Sequence, residues 1–191
     1  DPEFAAALAS IADLFVGDAF SVSHRAHASV VGIPALLPHY AGFQIIDEVS
    51  HLEKGINPPH PFVFVLGGAK FDTKLPLIEK FMKKADKVLI AGALFNDIMQ
   101  GRGLEVGKSL VSNTTLPEEI LKDPARKMIE PTDVVVKNPA TGAIATKSID
   151  AVSADESVMD AGPSVIAGMK QVFDAATAAG QKPFVLWNGP L

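Results

Sequence analysis

Five short apolar runs punctuate the chain: LFV at 14–16, FVFVL at 62–66, VLIA at 88–91, VVV at 134–136 and FVLW at 184–187. Each is rich in β-branched or aromatic residues and too short for a helix, which predicts strands. Between them, apolar residues recur at three- and four-residue intervals over 2–12, 38–54, 73–84, 117–129 and 163–179, which predicts helices. Strands alternating with helices predict an α/β fold, a parallel sheet with helices on both faces. One stretch departs from this rhythm. From Val134 the chain reads VVVKNPATGAIATKSID, where Pro139 and Gly142 separate short β-prone pieces, so a hairpin or edge ribbon decorating the sheet is expected there.

Breakers fence one helix on both sides. GIPALLP precedes YAGFQIIDEVSHLEKGI and INPPHP follows it. By pattern this is either an ordinary crossover helix or a connector between two domains.

With 191 residues, 48% of them apolar and 20% charged, the chain can bury a substantial core. A net charge of −5 and no Lys/Arg cluster argue against a nucleic-acid surface, which needs concentrated positive charge. No apolar run reaches the ~18 residues of a membrane span, and no signal-peptide pattern is present. With no cysteine, disulfides and thiolate chemistry are excluded, which fits a reducing cytoplasm. There are only three arginines, Arg25, Arg102 and Arg126. An enzyme gripping a phosphorylated acid usually needs several such fixed forks.

Candidate chemistry centres on FVFVLGGAKFDTK, residues 62–74. A buried strand running into Gly67-Gly68 lets the backbone turn sharply and approach a ligand. Thr73 is a reasonable helix N-cap, with Pro76 tolerated in the first turn. If Lys70 and Lys74 both begin that helix, their spacing puts them on one face, where the helix dipole adds positive potential for a phosphate. The bland alternative is a common turn followed by two solvated lysines. Nearby, GRGLEVGKSL invites a P-loop reading, but Gly101 leaves five residues before Gly107 and Gly103 leaves three, where that motif requires four. It reads as a surface loop.

VGDAFSVSHRAHASVVGI, residues 16–33, follows a strand and therefore lies where α/β sheets bind ligands. Arg25 could clamp a phosphate or carboxylate, and His24 could donate to the same ligand, while His27 reads as loop packing. The terminal PFVLWNGPL puts an Asn188-Gly189-Pro190 turn at another strand end, level with Gly67-Gly68. In VMDAGPSVI, Asp160 reads as an N-cap and Gly162 as a possible close approach to ligand.

Taken together and in this order, DAF with HRAHAS, LGGAKFDTK, GLEVGKSLV, DAGPS and LWNGPL resemble the phosphoglycerate kinase family along essentially the whole chain. The resemblance implies a two-domain hinge kinase with a Rossmann-like nucleotide domain. It implies reversible phosphoryl transfer between 1,3-bisphosphoglycerate and MgADP, giving 3-phosphoglycerate and ATP. On this basis residues 1–37 would end the phosphoglycerate-binding domain, 38–55 would form the interdomain helix, and 56–191 would form a nucleotide domain incomplete at its C-terminal end. Arg25 with His24 would bind phosphoglycerate. Gly67, Gly68, Ala69, Lys70 and Lys74 would hold nucleotide phosphates, with Lys70, Lys74 and Arg25 as the catalytic set. Gly92, Gly162, Asn188 and Pro190 would shape the adenosine pocket.

The implied cofactor is Mg2+, carried as MgATP or MgADP, with its protein ligand outside this stretch. The intact protein would be a cytoplasmic monomer binding neither nucleic acid nor membrane. Two departures stand out: Gly17 replaces the usual Asn before DAF, and Ala91-Gly92-Ala93 replaces three glycines. The family's Asp-x-Asn element, its further arginines and its magnesium-binding Asp are not in this stretch, which is therefore expected not to turn over by itself. The competing reading is a non-catalytic nucleotide-binding or regulatory module of the same fold.

Overall fold

A computed structural model of the chain describes residues 1–112 and 114–190. The chain divides into two compact units, Asp1–Pro58 and Pro59–Leu191.

In the first unit, α1 (Pro2–Ala9) is shorter than the apolar spacing over 2–12 suggests. Asp1 caps it, its Oδ1 accepting the N–H groups of Glu3 and Phe4 at 3.0 and 3.2 Å. The strand expected at 14–16 is β1 (Phe15–Gly17), which pairs in parallel with β2 (His39–Ala41). That pairing corrects the helix expected over 38–54. The ladder claims the first residues, with the Phe15 N–H donating to Pro38 O at 2.9 Å, and α2 (Phe43–Ile56) begins only after Gly42. Its cap comes from a distance: Asp18 Oδ1 accepts the Ile45 N–H at 2.9 Å. A Cβ on Gly42 would lie 2.2 Å from Asp18 Cγ, so the glycine makes room for the capping carboxylate.

In the second unit, β3 (Phe62–Leu66), β4 (Lys87–Ile90) and β8 (Phe184–Asn188) form a parallel sheet in the order β4-β3-β8. FVFVL alternates aromatic or Leu with Val, and both sets are buried. Phe62, Phe64 and Leu66 pack with Phe71, Ile78 and Phe81 of α3 (Phe71–Lys84) and with Leu94 and Ile98 of α4 (Ala93–Gly101). The Phe64 and Phe81 rings stack at 4.3 Å. On the opposite face, Val63, Val65 and Leu89 meet Val165, Met169 and Val172 of α6 (Pro163–Ala178). Helices thus cover both faces of the sheet, as the strand pattern predicts.

Val134–Val136 does not join this sheet. It lies in β5 (Asp133–Lys137), the central strand of a separate antiparallel sheet between β6 (Ile144–Ser148) and β7 (Ser157–Ala161). The hairpin expected from KNPATGAIATK is the β5–β6 pair. Its turn is tied by Asn138, whose Oδ1 accepts the N–H groups of Ala140 and Thr141 at 3.0 and 3.2 Å. Asp160 is a β7 residue rather than an N-cap, and Gly162 takes the cap position of α6.

The helix expected over 117–129 is also shorter, α5 (Glu118–Lys122), because Asp123 turns left-handed at φ 37 and ends it. The chain then runs extended beside β4, with Val88 N–H donating to Lys127 O and Ile129 N–H to Val88 O. Helix α4 had no counterpart among the expected elements. Its apolar start follows directly on β4, so VLIAGALF reads as one apolar run broken only by Gly92. No helix among the described residues is long and apolar enough to cross a membrane.

Candidate functional site

Register places the site. Leu66 lies opposite both Ile90 and Asn188, so three parallel strands end level and their following turns emerge side by side. Such carboxyl-end crevices are where open α/β sheets receive ligands. Gly92 has φ 62, and a Cβ there would stand 3.3 Å from Gly68 O and 3.6 Å from Pro190 O. Gly189 has φ 84, and its Cβ would meet Gly67 O at 2.3 Å. Glycine is required at 189 because the two turns are in direct backbone contact. Gly67 N–H donates to Asn188 O at 2.9 Å, and Trp187 Nε1–H donates to Gly189 O at 2.7 Å, fixing the second turn.

The start of α3 rises from this cluster, with consequences for its lysines. Lys70 is the N-cap, with extended backbone at φ −121 and ψ 102, so it stands outside the helix and does not share a helical face with Lys74. Thr73 is not the cap; its Oγ1 donates back to Lys70 O at 3.1 Å. Pro76 lies inside the helix rather than in its first turn. Lys74 is half-buried and its Nζ donates to Asn188 Oδ1 at 2.6 Å, joining residues of α3 and β8 over the glycine turns. Lys70 and Ala69 are exposed beside it. The N-terminus of a 14-residue helix, the Lys74 ammonium and the exposed N-cap residue Lys70 therefore share one corner. The acidic residue of that first turn, Asp72, is engaged by the Thr114 hydroxyl at 2.5 Å.

Beyond Gly92 opens a cleft of about 340 Å3, walled by Ala93, Asn96, Lys108, Leu110, Val158 and Ala161. Asn96 Nδ2 donates to Leu110 O at 3.1 Å, while its Oδ1 is buried with no partner among the described residues. Behind it, Asp97 Oδ1 accepts from Ser112 N–H and Oγ–H at 2.7 and 3.0 Å, and the Ser112 and Thr114 hydroxyl oxygens lie 2.9 Å apart. Sequence reasoning missed Asn96, Asp97 and Lys108. The available signal was a polar pair, Asn-Asp, embedded in an otherwise apolar run.

Most of the expected nucleotide residues therefore converge: Gly67, Gly68, Ala69, Lys70, Lys74, Gly92, Asn188 and Pro190. Leu191 of the LWNGPL stretch lies outside the described residues. Gly162 has a nearer occupant, since its Cβ would fall 2.3 Å from Asp133 Oδ1. That carboxylate oxygen accepts from Ser164 N–H at 3.0 Å and from Ser164 Oγ–H at 2.5 Å, locking the α6 entry. His24 and Arg25 belong to the first unit, on an exposed loop between a 3-10 turn at Phe20–Val22 and a π-helical turn at Ala28–Gly32. Neither side chain has a hydrogen-bond partner among the described residues. Arg102, by contrast, is a strut: its Nε–H donates to Leu121 O at 2.7 Å and its terminal N–H to Glu130 Oε1 at 2.6 Å.

The resolved pKa shifts lie away from the cluster. Burial pushes Asp86 up, but hydrogen bonds from Phe62 N–H and His60, with His60 and Lys127 nearby, leave it below its ordinary value. Glu156 is lowered by the Ser153 N–H and the Lys147 ammonium against an opposing burial effect. Among the described residues no three of His, Cys, Asp or Glu are grouped to hold a metal ion.

A parallel α/β unit with glycine turns and a fixed lysine at level strand ends belongs to the class of folds that open a ligand crevice there. Comparison with known proteins narrows the class. A family model for phosphoglycerate kinase matches residues 1–191. The chain is 42% identical over 200 residues to a phosphoglycerate kinase of Thermomicrobium roseum, covering 100% of this chain and 49% of that protein. It is 40% identical over 199 residues to one from Chelativorans sp., covering 100% and 48%. Among solved structures, the phosphoglycerate kinase of Coxiella burnetii superposes with a TM-score of 0.78 at 32% identity, covering 100% of this chain and 50% of that one. The enzyme of Pyrococcus horikoshii shares the fold at a TM-score of 0.77 and 23% identity, again covering 100% and 50%. The chain belongs to the phosphoglycerate kinase family, and it spans about half the length of the curated relatives it matches.

Proposed function

We propose that this chain carries the nucleotide-phosphate half of a phosphoglycerate kinase site, serving reversible phosphoryl transfer from 1,3-bisphosphoglycerate to MgADP. The observation that carries this reading is the Lys74–Asn188 link of 2.6 Å above the Gly67-Gly68 and Gly189 turns, beside the α3 N-terminus. Backbone approach, a positive helix end and two ammonium groups together make a cradle for terminal phosphates. In this reading Gly67, Gly68, Ala69, Lys70 and Lys74 take the phosphates, and Gly92, Gly162, Asn188 and Pro190 border the adenosine side. Arg25 with His24 takes phosphoglycerate. Residues 1–37, 38–55 and 56–191 serve as acid-binding part, connector and nucleotide domain.

Such a site needs no general base, because a carboxylate is already an adequate nucleophile and an acyl phosphate an adequate donor. Lys74 and Lys70 would neutralise the equatorial oxygens of the phosphoryl group in flight, so positioning and charge supply the catalysis without a covalent intermediate. Mg2+ accompanies the nucleotide in this chemistry. Among the described residues no three carboxylates or histidines are grouped to hold the ion.

Calorimetric titration of the chain with ADP tests the binding half. The wild type should bind, and Lys74→Ala should weaken the affinity by about tenfold or more. In a coupled assay of the full-length enzyme, Lys74→Ala should lower kcat/KM by about 100-fold or more, the scale for losing one transition-state donor. Unchanged values in both measurements would remove Lys74 from the role.

A further inference from the structure

The sequence has five asparagines, and their successors differ in a way that matters chemically. Asn57 and Asn138 precede proline, which has no N–H. Asn96 precedes Asp97 inside α4, where the next amide lies in the helix. Asn113 precedes Thr114. Only Asn188 precedes glycine, and only Asn188 has a cation on its side-chain oxygen among the described residues.

We propose that Asn188 is a site of spontaneous deamidation promoted by Lys74, and that the product turns the strand-end cluster against anions. In the reaction the Gly189 amide nitrogen loses its proton and attacks Asn188 Cγ, leaving an oxyanion on Oδ1. Collapse of that adduct breaks the Cγ–Nδ2 bond and releases ammonia, which takes up the proton. The resulting five-membered imide is opened by one water at either carbonyl, giving aspartate or isoaspartate. No oxidant or reductant is needed.

Both partners in the first step are activated. The Lys74 ammonium at 2.6 Å polarises the amide carbonyl and stands where the oxyanion develops, the same device as an oxyanion-hole donor. The Gly67 N–H, at 2.9 Å from Asn188 O, draws charge from the peptide group that carries the Gly189 N–H and so makes that proton more acidic. The Gly189 N–H has no acceptor among the described residues, so no ladder bond has to break before it can react. Glycine has no side chain to hinder ring closure, and both residues are exposed to the water that opens the imide.

The product matters because of where it lies. Aspartate at 188 would pair with Lys74 and place a fixed negative charge in the corner described above. Isoaspartate would lengthen the backbone by one carbon at the point where Gly67 N–H meets Asn188 O. The modification stands apart from the phosphate reading, whereas its effect on binding rests on it.

The chain is aged in mildly alkaline buffer at physiological temperature and the peptide covering Phe184–Asn188 and its following turn is mapped by mass spectrometry. Conversion should concentrate at Asn188, while Asn57, Asn96 and Asn138 remain intact. Lys74→Met, which removes the ammonium and keeps the chain length, should slow conversion by about tenfold. Lys70→Met, which removes a neighbouring charge that does not touch Asn188, should age at the wild-type rate. An intact Asn188 in the aged wild type, or a Lys74→Met chain that converts as fast or faster, would overturn the proposal. Separately, Asn188→Asp should bind ADP at least tenfold more weakly than the wild type. If no chain binds ADP, the phosphate reading fails while the ageing result still stands or falls alone.

Discussion

Single residues in this chain divide into those that hold charge in place and those that make room for backbone. Gly107 is of the second kind. Its φ is 55, and a Cβ there would lie 2.2 Å from Glu156 O and 2.6 Å from Ser153 O, both backbone atoms that cannot rotate away. Gly107→Ala should therefore cost about 3 kcal/mol in urea denaturation, from left-handed strain and the forced separation of the two segments. The sequence marks this glycine within the failed P-loop spacing and the GLEVGKSLV stretch. Its real constraint is set by a segment some fifty residues further on, which no local pattern shows. The same limit applies to Lys70 and Lys74. Their spacing was legible, but the helix start was not: α3 begins at the buried Phe71, so Lys70 caps it from outside.

Strands were more legible than helices because FVFVL, VLIA and FVLW are short, apolar and rich in β-branched or aromatic residues, while helix limits depend on what caps them. Asp18 capping α2 from outside the helix and Asp123 ending α5 are both tertiary decisions. Helix α4 was hidden because its apolar start continues the apolar run of β4. Ile98 on it is 1% exposed in the cluster shared with β3, so Ile98→Ala should lower stability by about 3–4 kcal/mol in chemical denaturation. The entry to β3 carries a titratable tie: Asp86 Oδ2 accepts the Phe62 N–H and is 2.6 Å from His60 Nδ1. Its carboxyl lies below its ordinary value of 3.8 in the folded chain, so at acid pH the unfolded chain binds the proton more readily. The resulting stability is fully present above the ordinary value and is lost as pH falls through the depressed one. Asp86→Asn should flatten the pH dependence of the urea midpoint between about pH 5 and pH 3, leaving the rest of the acid response intact.

The division into two compact units falls within the breaker-rich stretch INPPHP, and every one of the converging residues lies in the second unit. What the ordered motifs made legible was the family and the strand-end cluster. What they left open was the second, antiparallel sheet and the short β1–β2 ladder, because pairing partners far apart in sequence leave no local trace. The central strand has a further consequence in time. Phe62 to Leu66 are 0–3% exposed, have a hydrogen-bonded neighbour on each side and a helical layer over each face. No small fluctuation can bare their amides to solvent. In deuterium exchange these five positions should be the slowest in the chain, their common rate reporting the opening of the whole second unit, while the amide at Gly189 exchanges early. Uniform fast exchange along β3 would mean that the unit loosens piecemeal around its most enclosed strand.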